Sequence, residues 1–155
     1  MNKRFLFPIL LMTTACSGDY LQSSVNSASV LDYHLQLVQP PQGIGAREAG
    51  TVEEQKTATF IENTFKTHGY HTTKQTFTFG EEKLTSSNII ADKYQDNRPT
   101  VILAAHYDST SADVGSLGAT DNGAGVAAML AIAGNVINKI PSHYNVRFIA
   151  FGAEE

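Results

Sequence analysis

Apolar and polar residues alternate with three different spacings along this chain, and each spacing predicts a different element. Residues 5–12 (FLFPILLM) are apolar throughout, and residues 17–29 are polar and rich in Ser and Asn. VLDYHLQLV (30–38) has a helical spacing and is stopped by Pro40–Pro41. GIGAREAG (43–50) reads as a Gly-rich loop. Thr51 and Glu54 then stand at the spacing of a capping box. The helix that follows is predicted to run to His68, with Ala58, Ile61 and Phe65 on one face and Gly69 at its end.

The period then shortens to two. TKQTFTFG (73–80) places Gln75, Phe77 and Phe79 on one side of a strand and Thr76 and Thr78 on the other. Gly80–Lys83 reads as a turn, and Ser87 to Lys93 as a second strand antiparallel to the first. Beyond it, PTVILAAHYDS (99–109) holds a continuous apolar run, the pattern of a strand buried on both faces. GAGVAAMLAIAGNVINK (123–139) reads as a helix and NVRFIAFGAEE (145–155) opens as another buried strand. Strand, helix and strand of this length form a right-handed βαβ unit with parallel strands. The expected fold class is α/β, with a mixed, largely parallel sheet flanked by helices and an antiparallel hairpin on one side.

Composition sharpens this picture at the N-terminus. The chain has 155 residues, 42% of them apolar, enough for the core of one domain. Lys3 and Arg4 precede the apolar run, and small residues follow it, which is the layout of a secretory signal over residues 1–15. Cys16, the only cysteine, follows Thr14–Ala15 and excludes an internal disulfide. The segment resembles the lipobox of bacterial lipoproteins, with Thr13 where such boxes usually carry leucine. That resemblance implies lipidation at Cys16, a polar tether over residues 16–29, and a protein secreted across the inner membrane and held in the cell envelope. The folded part is then 30–155. A formal charge of −4 and the lack of any basic run exclude a nucleic-acid partner.

The candidate chemistry lies where open α/β sheets bind ligands, beyond the carboxyl ends of the strands. His106 and Asp108 close one predicted strand and share a face, so Asp108 is placed to fix the imidazole tautomer. Asp121 precedes the Ala-rich helix and is placed either to cap it or to bind metal. Glu154 and Glu155 follow the last strand. Both reach one site only if the strand has ended, and Gly152–Ala153 is a suitable place. Read alone, the pair is either two solvated charges at a loop or, in a di-metal hydrolase, one carboxylate that binds metal and one that handles a proton. His34, His68, His71 and His143 read as surface residues. Tyr107 is expected to pack on the face away from His106, and Arg47 to tie the N-terminal loop to the core.

AAHYDS, GATDNGAGVAAML and FIAFGAEE, in this order, resemble the co-catalytic di-zinc aminopeptidases of metallopeptidase family 28, in the zinc exopeptidase superfamily. The resemblance implies an α/β/α fold and two zinc ions. It implies that His106 binds one zinc, that Asp121 bridges both through a residue joined to Asn122 by a cis peptide, and that Glu155 binds the second. It implies Asp108 as the support of His106 and Glu154 as the general base. The implied reaction is hydrolysis of the peptide bond at a free amino terminus of a peptide or protein. The family's remaining Asp and His ligands stand downstream of the position matching Glu155. The resemblance therefore reads 30–155 as the N-terminal part of a catalytic domain, with the sheet truncated after the strand leading to the Glu-Glu motif. As written, the chain is expected to be an inactive fragment, with the strand of residues 145–151 left at an open edge. Alternatives are a zinc carboxypeptidase or glutaminyl-cyclase-like enzyme on the same scaffold, and a non-catalytic truncated lipoprotein.

Overall fold

The computed structural model describes residues 25–155. The signal segment 1–15 and Cys16 lie outside the described residues. The first helix, α1 (Ser27–Val38), begins earlier than the apolar pattern predicts. Asn26 caps it, its side-chain oxygen accepting from the Ala28 amide at 3.0 Å. Ser27, Ala28 and Ser29, expected in the polar tether, therefore form its first turn. Apolar periodicity could not show this, because a cap and a first turn are polar by nature.

In α2 (Val52–Thr67) the Thr51 hydroxyl accepts from the Glu54 amide at 3.2 Å, as the capping box requires. The return arm differs from the box. Glu54 Oε2 accepts from the Gly50 amide at 2.6 Å, while the Thr51 amide is satisfied by the Glu48 carbonyl. The predicted face is the one buried, with Ala58, Ile61 and Phe65 all at 2% exposure or less.

Strands β1 (His71–Phe79) and β2 (Leu84–Asp92) pair antiparallel as expected. β3 (Thr100–His106) and β4 (Asn145–Phe151) pair parallel, joined through α3 (Ala124–Val136). The sheet is mixed and its order is β1-β2-β4-β3. This order corrects two expectations. β4 is an interior strand, flanked by β2 and β3, so the edges of the sheet are β1 and β3. β3 is also not buried on both faces, since Val101 is 54% and Ile102 57% exposed. An apolar run reports a strand's preference for burial; it does not report which neighbours cover it.

Ile89, Ala150 and Ala105 lie side by side across the sheet, as do Ala91, Phe148 and Leu103. These rows meet α2 and α3. Phe65 stacks on Phe148 with centroids 5.6 Å apart, and Tyr70 meets Phe148 edge-on at 5.3 Å. The Tyr70 hydroxyl donates to the Ala133 carbonyl at 2.9 Å and so joins the sheet side of the core to α3. The other face carries the row Ile90, Ile149 and Ala104. All active-site candidates are thereby delivered to one end of the sheet, at the carboxyl ends of the parallel strands β3 and β4.

Glu54 is the unusual member of this core, a carboxyl at 1% exposure. Burial pushes its pKa up, and the Asp108 carboxylate adds to the rise; hydrogen bonds from Ser86, Gly50 and Tyr107 oppose it. The folded protein therefore holds this proton at pH values where the unfolded chain has released it. Stability is expected to fall as pH rises from the ordinary glutamate value to the raised one. Glu54→Gln, neutral throughout, is expected to flatten that part of the curve in urea unfolding measured as a function of pH. The same slope in both proteins would refute the assignment.

Candidate metal centre

His106 is the last residue of β3, with a side chain 14% exposed. Its Nε2 faces outward to Asp121 Oδ1 at 3.0 Å and stands 3.7 Å from Glu154 Oε2. Its Nδ1 faces inward to Asp108 Oδ1 at 3.5 Å. Both of those inward atoms are buried, and neither makes a hydrogen bond. They have only each other to face. An imidazole that offers its Nε2 lone pair to a metal carries its proton on Nδ1, where Asp108 would receive it.

Asp108 is fully buried. Its second oxygen, Oδ2, accepts from the amides of Glu154 at 2.9 Å and Glu155 at 3.0 Å. One carboxylate thus braces the histidine and the Glu-Glu turn together. The sequence pattern pointed only to the histidine, because a backbone acceptor role leaves no mark on residue type at the donor positions.

The Asp121 side chain is 77% exposed and makes no capping bond to α3. The cap falls instead to Asn122, whose Oδ1 accepts from the Gly125 amide at 3.1 Å. Residues 119–123 form a single π-type turn with non-helical backbone at Asp121 and Asn122. The Asp121–Asn122 peptide is cis, as the resemblance implied. The turn therefore spends Asn122 on the helix and leaves Asp121 free to face His106.

Arg47 holds this turn from below. It is fully buried and donates to five carbonyls: Tyr107 (2.8 Å), Leu37 (3.3 Å), Gly45 (2.7 Å), Leu117 (2.9 Å) and Gly118 (2.8 Å). Burial pulls its pKa down, and the nearby Asp108 carboxylate pushes it back up. The expectation that it ties the N-terminal loop to the core is correct, and it also ties in the loop before Asp121. His34 is half-buried rather than a surface residue; its Nε2 donates to the Ala119 carbonyl at 2.9 Å. His68 is likewise half-buried, joined to the Tyr33 hydroxyl at 3.0 Å, and burial lowers its pKa. Helical position alone could not separate these from His71 and His143, which are exposed.

β4 stops at Phe151, and Ala153 takes a left-handed backbone (φ +54°), which turns the chain as the paired glutamates require. The Gly152 amide donates to Asn88 Oδ1 at 3.3 Å, a contact the sequence did not suggest. Tyr107 is buried away from His106, its hydroxyl donating to the Ser87 carbonyl at 2.7 Å.

Ligand atoms of His106, Asp121 and Glu155 all lie within 4.8 Å of one another. One imidazole nitrogen and two carboxylate oxygens make a donor set suited to zinc. Asp121 and Glu155 are exposed, so their oxygens are free to adjust by side-chain movement in solvent. The residues therefore fit the ion.

The model of Peptidase family M28 matches residues 88–155. Aminopeptidase YwaD of Bacillus subtilis is 47% identical over 74 residues, which are 46% of this chain and 15% of that protein. Among solved structures, BSAP, a zinc aminopeptidase from Bacillus subtilis, aligns with TM-score 0.76 at 19% identity, covering 86% of this chain and 63% of that one. Glutaminyl cyclase of Fimbriiglobus ruber aligns with TM-score 0.69 at 25% identity, covering 83% and 45%. This chain thus spans less than two thirds of the length of each of these proteins. The matched span, within which His106, Asp108, Asp121, Glu154 and Glu155 all fall, is where the chain resembles the aminopeptidases of peptidase family M28.

Proposed function

We propose that this chain supplies part of the active site of a zinc-dependent aminopeptidase. The observation that carries the reading is the convergence of His106, Asp121 and Glu155 within 4.8 Å, with the Glu154 carboxylate beside them. In this reading residues 30–155 are the N-terminal portion of the catalytic domain, and the partial span of each relative supports it. His106, Asp121 and Glu155 are the residues of this chain that would hold zinc, His106 and Glu155 at separate ions with Asp121 shared between them, and the remaining ligands would come from the rest of that domain. Bound zinc would supply a Lewis acid that polarises the scissile carbonyl and acidifies water.

The protein groups divide the remaining work. Asp108 would accept a hydrogen bond from the Nδ1–H of His106, which leaves the Nε2 lone pair for the metal. Its other oxygen fixes the backbone from which Glu154 and Glu155 project. Glu154 takes the proton of the attacking water and delivers it to the leaving amine. The substrate is a peptide or protein with a free amino terminus.

The likeness to a glutaminyl cyclase favours a second reading, an acyl transfer within an N-terminal glutamine. A peptide beginning with Gln separates the two: an aminopeptidase releases free glutamine, whereas a cyclase releases ammonia and leaves the chain length unchanged. Location belongs to the proposal too. Among the described residues no helix is long and apolar enough to cross a membrane, and attachment to the cell envelope would rest on a lipid at Cys16.

Three outcomes are expected of the native protein. Glu154→Ala lowers kcat by about 10²–10⁴-fold while zinc content, measured by elemental analysis, stays at the native level. Loss of zinc in that variant would show that Glu154 is a ligand and not the base. Asp121→Ala loses zinc from both positions, and a variant that retains the full metal complement would exclude the bridge. Cys16→Ser moves the protein from the membrane fraction to the soluble fraction; unchanged sedimentation with membranes would end the lipid-anchor proposal.

A further inference from the structure

Glu54 is a buried carboxyl that the proposed reaction does not use. It lies on α2, far along the chain from the site, yet its surroundings lead directly there. Oε2 accepts from the Gly50 amide at 2.6 Å, and Oε1 accepts from the Ser86 hydroxyl. Ser86 is itself 3% exposed, and the Tyr107 ring beside it is 1% exposed. Tyr107 stands between His106 and Asp108 in the chain, and its amide donates to the Phe151 carbonyl at 2.8 Å.

Gly152 rests on this group. A methyl at its α-carbon would come within 2.7 Å of both Glu54 Oε1 and the Tyr107 hydroxyl, and closer still to Ser86 Oγ. The backbone here touches a floor of three side-chain oxygens that only glycine allows. Immediately beyond it the chain turns at Ala153 and presents the Glu154 and Glu155 amides to Asp108. The turn is therefore clamped between two buried carboxyl groups, Asp108 at its amides and Glu54 beneath its glycine.

We propose that Glu54, with Ser86 and Tyr107, is a positioning residue that sets the height of the Gly152–Glu155 turn and so aims the proposed base and metal ligand. This rests on the roles given above to Glu154 and Glu155. Removing the carboxyl lets Gly152 sink into the vacated space. Filling the contact with a methyl lifts it. Both change where Glu154 and Glu155 project, although neither Glu54 nor Gly152 touches metal or substrate.

The test uses the full chain with Glu54→Ala, Glu54→Gln and Gly152→Ala, and with Ile61→Val as a control for general loosening of α2. Gln is close to isosteric with the carboxyl. It presents its carbonyl to the Gly50 amide and its NH2 group to the Ser86 hydroxyl, which accepts as readily as it donates. The first readout is NMR exchange of the Glu154 and Glu155 amides in the zinc-free chain. Exchange on the order of tenfold faster is expected in Glu54→Ala and Gly152→Ala, with rates near wild type in Glu54→Gln and Ile61→Val. The second is zinc affinity by competition with a chromophoric chelator, expected to weaken about 10-fold or more in the first two variants only. Exchange rates in Glu54→Ala and Gly152→Ala within twofold of wild type would overturn the inference. If the native protein, with the whole catalytic domain, takes up no zinc, the metal reading falls, and the exchange rates still decide whether Glu54 sets the turn.

Discussion

The site depends on the burial of one charge. Asp108 has no exposed surface, and a carboxylate taken out of water costs several kcal/mol unless its surroundings compensate. Two amides from the Glu-Glu turn supply one side of that compensation. The guanidinium of Arg47 supplies the other, at a distance, through its charge. It also spends its N–H groups on backbone carbonyls rather than on Asp108. The carboxylate therefore keeps Oδ1 uncommitted, facing the equally uncommitted Nδ1 of His106. A direct ion pair with Arg47 would have consumed that oxygen and left the imidazole without a partner.

This arrangement explains why segments remote in sequence must meet. The 43–50 loop carries Arg47, β3 carries His106, the turn after β4 carries the glutamates, and the π-type turn carries Asp121. Arg47 binds the carbonyl of Tyr107 and those of Leu117 and Gly118, so it fixes the β3 terminus and the Asp121 loop against each other. A lysine there would carry the charge but could not reach five acceptors in different directions. Glu54 holds the glutamate turn in the corresponding way on the other side of Tyr107.

What the sequence made legible follows a physical divide. Periodicity reports burial along an element, so the face of Ala58, Ile61 and Phe65 and the parallel β3–β4 pair could be read directly. Strand order is not a local property, and the apolar run of β3 looked the same whether it lay at the centre or at the edge. At the site, the residues with unusual side chains at strand ends were readable as candidates. Their division of labour was not. Asp121 and Asn122 are adjacent and both suited to capping, and only the backbone path between them assigns the cap to Asn122. Glu54 was visible as a capping residue, but the partner it chose is Gly50, and its second oxygen serves a turn about a hundred residues away.

The exposed side of the site obeys the opposite rule from the buried side. Asp121 and Glu154 are 77% and 59% exposed and converge on a single imidazole nitrogen. Glu155 joins them within reach of the same point. Like charges gathered this way repel one another, and water screens the repulsion only in part. The buried framework of Asp108, Arg47 and Glu54 holds the backbone in place against that repulsion. The carboxylates themselves remain free to close on a cation whose charge removes it. A divalent ion bound there would stabilise the fold, since the unfolded chain offers no such grouping. Rigid anchors beneath and adjustable ligands above are what a site needs if it is to bind a metal tightly and still alter its coordination during a reaction.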